Sequence, residues 1–329
     1  MNSTNEYLDR LLESGFKALS STAEPNSLYE PVRYTMAQGG KRFRPRLVLI
    51  ASGLCGEDPS GAVPAAVAVE MLHNFTLIHD DIMDQADTRR GEPTVFRKWN
   101  ESTAILSGDV LFVMALRTLI GHDGKNSFPG NIKDRLMHCL LEATQTVCEG
   151  QAMDMDFEKR ADVRLGEYIG MIHAKTAALI RCSMQMGAIV AGADSDAENN
   201  CADIGEHTGI AFQIQDDLLD ATGDTGKFGK RVGGDIIQGK KTYLSILATE
   251  RADDAGRRML AETLGNRQAG DGAISEVIRC YHDLGVIEDA ASEIERNYQI
   301  ALEKLGIFED SEYRHEIKVL LDKLKIRDQ

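Results

Sequence analysis

Apolar residues gather in long stretches, broken by polar positions at helical rather than alternating spacing. Pro64–Met83 is rich in Ala, Val, Leu and Ile over a length no ordinary strand reaches. Glu101–Leu119, Ile132–Gly150, Leu165–Ala191, Ala202–Leu219, Thr242–Leu264 and Ala273–Leu305 read the same way. Short alternating runs bounded by hairpin turns are missing. The pattern predicts an all-α protein of about ten or more helices. Gly- and Asp-rich stretches near residues 121–131, 191–200 and 264–273 read as the loops between helices. No Pro-rich, Ser-rich or single-sign charge run divides the chain and no array-type repeat is present, so a single domain over residues 1–329 is expected.

Composition narrows this picture. With 329 residues and 43% hydrophobic content the chain can bury a large core and is too apolar to be disordered. A net charge of −15 argues against a nucleic-acid partner, which would need a basic face. It leaves an anionic substrate open, because local clusters and metal ions set the field within a site. The six cysteines are scattered and form no C-x-x-C pair, so free thiols in a reducing cytoplasm are expected. The polar, acidic start MNSTNEYLDRLLES is unlike a signal peptide. Ala104–Ile120 is interrupted by Asp109 and Arg117, and no stretch reaches roughly 18 uninterrupted apolar residues, so no membrane anchor is expected.

One short echo carries the chemistry: Ile78-His79-Asp80-Asp81-Ile82-Met83-Asp84 and Ile214-Gln215-Asp216-Asp217-Leu218-Leu219-Asp220. On a helix, residues four apart share a face, so Asp80 points with Asp84 and Asp216 with Asp220. Like charges held together cost stability unless a cation sits among them. Hard carboxylate oxygens suit Mg²⁺, which takes one or two carboxylates plus phosphate oxygens and water. A single such cluster reads more readily as a solvated helix end. Two, each ending an apolar helix, would meet across one cavity mouth if their helices pack face to face.

Cations flank both clusters. Gly39-Gly40-Lys41-Arg42-Phe43-Arg44-Pro45 puts three in a turn-like segment before an apolar helix, and Asp87-Thr88-Arg89-Arg90-Gly91 follows the first cluster. Arg forks grip phosphate bidentately and Lys acts as a point charge. Lys175-Thr176 lies within an expected helix, and Gln213 one turn before Asp217. Residues 228–242 form a glycine-rich basic loop, open to two readings: closure over a phosphate, or an ordinary mobile loop. It is not a Walker loop. His79 reads as a satisfied core histidine; His73 stays open between that role and ligand binding.

Together these segments resemble the trans-isoprenyl diphosphate synthases, or polyprenyl synthetases: GGKRFRP (39–45), LIHDDIMD (77–84), DTRRGEPT (87–94), GQAMD (150–154), HAKTAAL (173–179), FQIQDDLLD (212–220) and GGDIIQGKKT (233–242). They run in the family's order over residues 30 to 245. The resemblance implies an isoprenoid-synthase-type helical bundle around a deep apolar cavity, a homodimer, and about three Mg²⁺ ions on the allylic diphosphate. It implies Asp80, Asp84 and Asp216 as metal ligands, with Asp81, Asp154, Asp217 and Asp220 around them. Arg89, Lys175, Gln213 and Lys230 would hold the allylic diphosphate. Lys41, Arg44, His73 and Arg90 would hold isopentenyl diphosphate without metal. Lys175, Thr176 and Gln213 would stabilise the carbocation.

The growing tail is expected to run down the apolar helix before Asp80, past Thr76 one turn below and Leu72 two turns below, each turn about 5.4 Å. Thr76 is too small to stop it. Phe75 has two readings of equal weight, a floor of the tunnel or a plain core ring. An aromatic five residues before the first Asp, with no insertion in D-D-x-x-D, resembles one type of geranylgeranyl diphosphate synthase. A C20 product is therefore expected, with C15 farnesyl diphosphate or a longer chain as alternatives. A terpene cyclase would not need GGKRFRP or Arg89-Arg90, and a non-catalytic partner subunit would typically lose an aspartate cluster.

Overall fold

The computed structural model describes residues 3–17, 23–121, 128–223 and 232–325. Among these the protein is all-α, as the pattern predicts. Its helices are α1 (Ser3–Lys17), α2 (Asn26–Ala37), α3 (Phe43–Leu54), α4 (Val63–Met83), α5 (Val95–Lys98), α6 (Glu101–Ile120), α7 (Gly130–Phe157), α8 (Leu165–Ile172), α9 (Ala178–Val190) and α10 (Ser195–Thr222). Further helices span Gly234–Gln238, Tyr243–Arg251, Asp254–Thr263, Asp271–Asp283, Val286–Leu305 and Glu312–Lys325. A π-helical turn, His173–Ala177, joins α8 to α9. The one sheet among the described residues is a two-residue antiparallel pairing of Thr88–Arg89 with Glu92–Pro93, which the hydrophobic pattern did not show.

The chain forms two compact units: Met1–Thr144 with Leu179–Ala202 and Ile307–Ile317, and Gln145–Ala178 with Asp203–Gly306 and Lys318–Gln329. In the first, α4 and α6 supply the core. Ala65 to Val69, Met71, Leu72 and Ile78 of α4 are buried, as are Ala104, Leu111, Ala115 and Leu119 of α6. The run Leu47–Ala51 of α3 is buried on every side, each larger side chain contributing about 1.5–3 kcal/mol. In the second unit Val277, Tyr281, Val286, Tyr298 and Leu305 form the core, and the Tyr298 hydroxyl donates to Gln215 (3.0 Å).

Several expected boundaries move for local reasons. Residues 195–200, expected as loop, are the first turns of α10, started by the Asp194 side chain accepting from Ala197 N (2.8 Å). The expected helix Thr242–Leu264 breaks at Ala252, whose backbone is extended, and Asp253 caps the next helix through Gly256 N (2.8 Å). The expected helix Ala273–Leu305 breaks at Gly285, where φ is +67°.

By length and composition alone Pro59–Met83 and Glu101–Ile120 could each cross a membrane, which the count of uninterrupted apolar residues did not register. The apolar window of the first is 61% buried within the protein, as for a core helix; that of the second is 33% buried.

Candidate active site

In the first unit, α4 delivers its carboxylates at its last turn, where Asp84 N closes the helix on the Asp80 carbonyl (2.8 Å). Asp84 is exposed, Asp80 half-buried and Asp81 buried. The chain then reverses through Gln85, at φ +52°, into the hairpin. Its two loop residues, Arg90 and Gly91, both have positive φ (+55° and +80°), as the tight two-residue hairpin turn demands. Thr94 locks the base, donating its hydroxyl to the Ala86 carbonyl and its N–H to that of Asp87. This brings Arg89 Nε back to Asp81 (2.6 Å), with its outer nitrogen 3.7 Å from Asp80. Burial pushes the Asp81 carboxyl up; the Arg89 guanidinium pulls it down.

The neighbouring arginine goes elsewhere. Arg90 donates to the Gly39 carbonyl and lies flat on Gly40, where a Cβ would sit 2.8 Å from the guanidinium carbon. Gly40 has φ +120°, so only glycine accommodates both the backbone and the contact. Arg44 stands in the first turn of α3, its NH1 3.3 Å from His73 Nε2. Burial brings the Arg44 guanidinium down to about 10, and its Nε is buried without a hydrogen-bond partner. Burial, then the charges of Arg44, Arg90, Arg89 and Arg42, hold His73 well below the usual histidine range, so its ring is neutral. Lys41 is exposed on the same turn. Of the four residues expected to hold a metal-free diphosphate, Arg44 and His73 are thus in contact, Arg90 rests on the Gly39–Gly40 turn, and Lys41 follows that turn directly in sequence.

On the buried side of α4, Leu72 is fully enclosed and the Thr76 hydroxyl donates to the His73 carbonyl (2.8 Å). Phe75 packs edge-on against His79 (4.9 Å between ring centres) and, tilted by 34°, against Phe112 of α6 (5.6 Å). His79 Nε2 lies 3.2 Å from the Ile105 carbonyl, which fits the structural role read for it.

The second unit holds its cluster differently. The π-helical turn places Lys175 Nζ on Asp154 (2.5 Å) and the Thr176 hydroxyl on Gln213 Oε1 (2.9 Å). Such turns insert one extra residue into a helix and often mark functional positions. Glycines let backbone approach it: a Cβ on Gly150 would lie 2.3 Å from Lys175 N, and one on Gly209 2.5 Å from the Ala177 Cα. Gln213 Nε2 donates to Asp217 (3.1 Å), whose other oxygen accepts from the Tyr168 hydroxyl (2.6 Å) and Tyr243 N (3.4 Å). Burial, with Asp235 adding, pushes the Asp217 carboxyl up to about 7 against the pull of those three donors. Asp216 is exposed. Asp220 accepts from Asp235 N (2.9 Å) through its side chain and from Gly233 N (2.7 Å) through its carbonyl, so it anchors the end of the basic loop. Lys230 and residues 224–231 of that loop lie outside the described residues.

Among the described residues no three carboxylate, histidine or cysteine side chains converge as a ready-made metal cage. The donors present fit an ion that arrives with its substrate: paired hard carboxylates, with Asp84 and Asp216 open to solvent. Sequence reasoning missed Tyr168 as a partner of Asp217, Phe112 as a partner of Phe75, and the ion pair of Arg42 with buried Glu70 of α4. For Tyr168 a signal existed, since a tyrosine within an apolar helix needs a partner for its hydroxyl.

A family model described as polyprenyl synthetase matches residues 25–281. A short chain isoprenyl diphosphate synthase of Methanothermobacter thermautotrophicus is 38% identical over 92% of this chain and 91% of its own. A geranylgeranyl diphosphate synthase of Saccharolobus solfataricus is 40% identical over 88% and 85%. The crystal structure of geranylgeranyl pyrophosphate synthetase from Pyrococcus horikoshii superposes with a TM-score of 0.92, at 35% identity, over 99% of this chain and 100% of that one.

Proposed function

This chain belongs to the polyprenyl synthetase family, and on that premise we propose that it is a Mg²⁺-dependent short-chain trans-prenyltransferase. It would join isopentenyl diphosphate to an allylic diphosphate and stop at geranylgeranyl diphosphate, C20. The observation that supports this reading is the presence of two anion-handling chemistries: carboxylate clusters suited to a metal-bound diphosphate, and a cationic group, Arg44 beside His73 with Arg90 on the Gly39 turn, suited to a metal-free one. A terpene cyclase has use for the first only. A non-catalytic subunit has no use for two intact clusters.

Asp80, Asp84 and Asp216 would hold about three Mg²⁺ ions, which when bound neutralise charge on the leaving diphosphate. Arg89, Lys175 and Lys230 add positive charge for the same group, and Lys41 joins the metal-free pocket. Asp81, Asp217 and Asp220 orient the clusters, and Asp154 orients Lys175. The Gln213 amide is fixed between Thr176 and Asp217, so its dipole is set before any charge develops in the allylic chain. Burial and the surrounding arginines make His73 a poor proton acceptor, so no protein base is assigned; the proton lost after attack passes to the diphosphate oxygen.

Phe75, wedged against His79 and Phe112, supports a fixed floor, and the C20 synthases among the similar proteins support the same length. Farnesyl diphosphate is the alternative. Phe75→Ala is expected to lengthen the product by one or more C5 units; an unchanged length would refute the floor.

The enzyme is proposed to work in the cytoplasm as one catalytic domain and as a homodimer. Leu106, Val113 and Ile120 stand exposed at seven-residue intervals along α6, an apolar stripe suited to a second copy of itself. Leu106→Glu with Val113→Glu should yield a monomer by light scattering.

The deciding assay incubates purified protein, Mg²⁺, labelled isopentenyl diphosphate and C5, C10 or C15 primers, then separates the dephosphorylated alcohols by length. A Mg²⁺-dependent C20 alcohol supports the whole reading. A C15 or longer alcohol keeps the reaction and discards the floor. No condensation with any primer moves the assignment to a cyclase or a partner-dependent subunit.

A further inference from the structure

The turn that begins at Gly39 contains a residue whose backbone is out of place. Arg42, immediately before α3, has φ +46° and ψ +41°, the left-handed region that side chains other than glycine and asparagine rarely enter. Such a conformation persists only where its surroundings fix it. Here three contacts do so. The Arg42 guanidinium forms an ion pair with Glu70 of α4, donates to the Met36 carbonyl at the end of α2, and lies over the Phe16 ring at 4.7 Å. Glu70 is buried and takes a further hydrogen bond from Asn74 (3.2 Å). The guanidinium thus has its charge matched by one carboxylate and its face covered by a ring.

Glu70 is also badly placed for an anion site unless it is neutralised. Its charge acts on Arg44 and Arg90 alike, the two guanidiniums that the proposed function assigns to the metal-free diphosphate. A bare carboxylate there would repel a diphosphate.

We infer that Arg42 and Glu70 are a pair of positioning residues for the isopentenyl diphosphate pocket: Arg42 does not bind the diphosphate but clamps the left-handed turn and cancels the Glu70 charge, so that Lys41 and Arg44 face the anion. This rests on the proposed function of that pocket. It separates two arginines two residues apart in one motif, Arg44 at the substrate and Arg42 turned away into α4 and α2.

The test is a double-mutant cycle on the full chain with steady-state kinetics for each substrate separately. Arg42→Gln leaves Glu70 buried and bare; it should raise KM for isopentenyl diphosphate at least about tenfold (about 1.4 kcal/mol) while KM for the allylic primer moves less than about twofold. Glu70→Gln added to it should recover a large part of that loss, because the repelling charge is gone, and the coupling between the two should reach about fivefold or more. Arg42→Lys keeps the charge but loses the forked contact. It should give a smaller rise in the same KM, and it reads the split if the glutamine variant does not fold.

Three outcomes would overturn the inference. Independent, additive effects would mean that Arg42 touches the diphosphate itself. Equal rises in both KM values with a lowered melting temperature would mean general destabilisation. An unchanged KM for isopentenyl diphosphate in folded variants would mean that the clamp has no bearing on the pocket. Wild-type protein in the same assay tests the proposed reaction separately: if it fails to condense, the function is wrong, whatever the variants do.

Discussion

The two aspartate clusters are near copies in sequence and are held by opposite means. At the first, the inner carboxylate, Asp81, is balanced by a full positive charge, Arg89, carried in on a hairpin. At the second, the inner carboxylate, Asp217, is held only by neutral donors, Tyr168, Gln213 and Tyr243 N, and burial with the nearby Asp235 charge raises its affinity for a proton further than those donors lower it. The same five-residue spacing therefore says where carboxylates point and nothing about what steadies them. A charged brace is strong and tolerates water; a neutral network is weaker per bond and depends on close packing.

Removing an outer ligand should erase the difference. Asp80→Ala and Asp216→Ala are each expected to lower kcat at least about a thousandfold, about 4 kcal/mol of barrier. If either variant keeps a tenth of wild-type turnover, that cluster is not a metal site. Chelation of Mg²⁺ should match these losses and be reversed by adding the ion back. Next in size is Gly150→Ala. Its methyl group would drive into Lys175 N and displace the π-helical turn, and misplacing a charge by about 1 Å costs about a hundredfold in rate. Normal kinetics here would show that the second cluster does not depend on packing.

Arg89→Gln tests the charged brace and should cost about ten- to a hundredfold in kcat/KM for the allylic primer, the worth of one or two charge-assisted hydrogen bonds. Tyr168→Phe tests the neutral one. Asp217 keeps two donors, so a loss of about 1 kcal/mol in unfolding free energy and less than about tenfold in kcat is expected. A Tyr168→Phe effect larger than that of Arg89→Gln would reverse the comparison.

What could be read from the sequence was whatever repeats within a few residues. Asp80 with Asp84, and Gln213 with Asp217, are helical neighbours, so their shared faces follow from spacing. The apolar stretches gave the helices, because burial on one side imposes that period. Partners distant along the chain were not legible. Arg42 finds Glu70 28 residues on, and Tyr168 finds Asp217 49 residues on, through packing that no local rule specifies. The breaks at Ala252 and Gly285 were missed for a different reason. Apolar periodicity continues through both, and only a cap or a left-handed glycine marks them.

The hairpin after α4 has one more consequence. Arg89 reaches the aspartates and Arg90 reaches the Gly39 turn, and the two are consecutive residues, their Cα atoms about 3.8 Å apart across a single peptide. In this unit the link between the two proposed anion centres is thus a single peptide bond. A rigid link of that kind acts as a ruler: a shift that draws Arg89 from Asp81 also drags Arg90 along Gly40. A longer turn, even by one residue, would let the two arginines drift independently, and on the proposed function the chain would lose a built-in measure of how far apart its two reactants are offered.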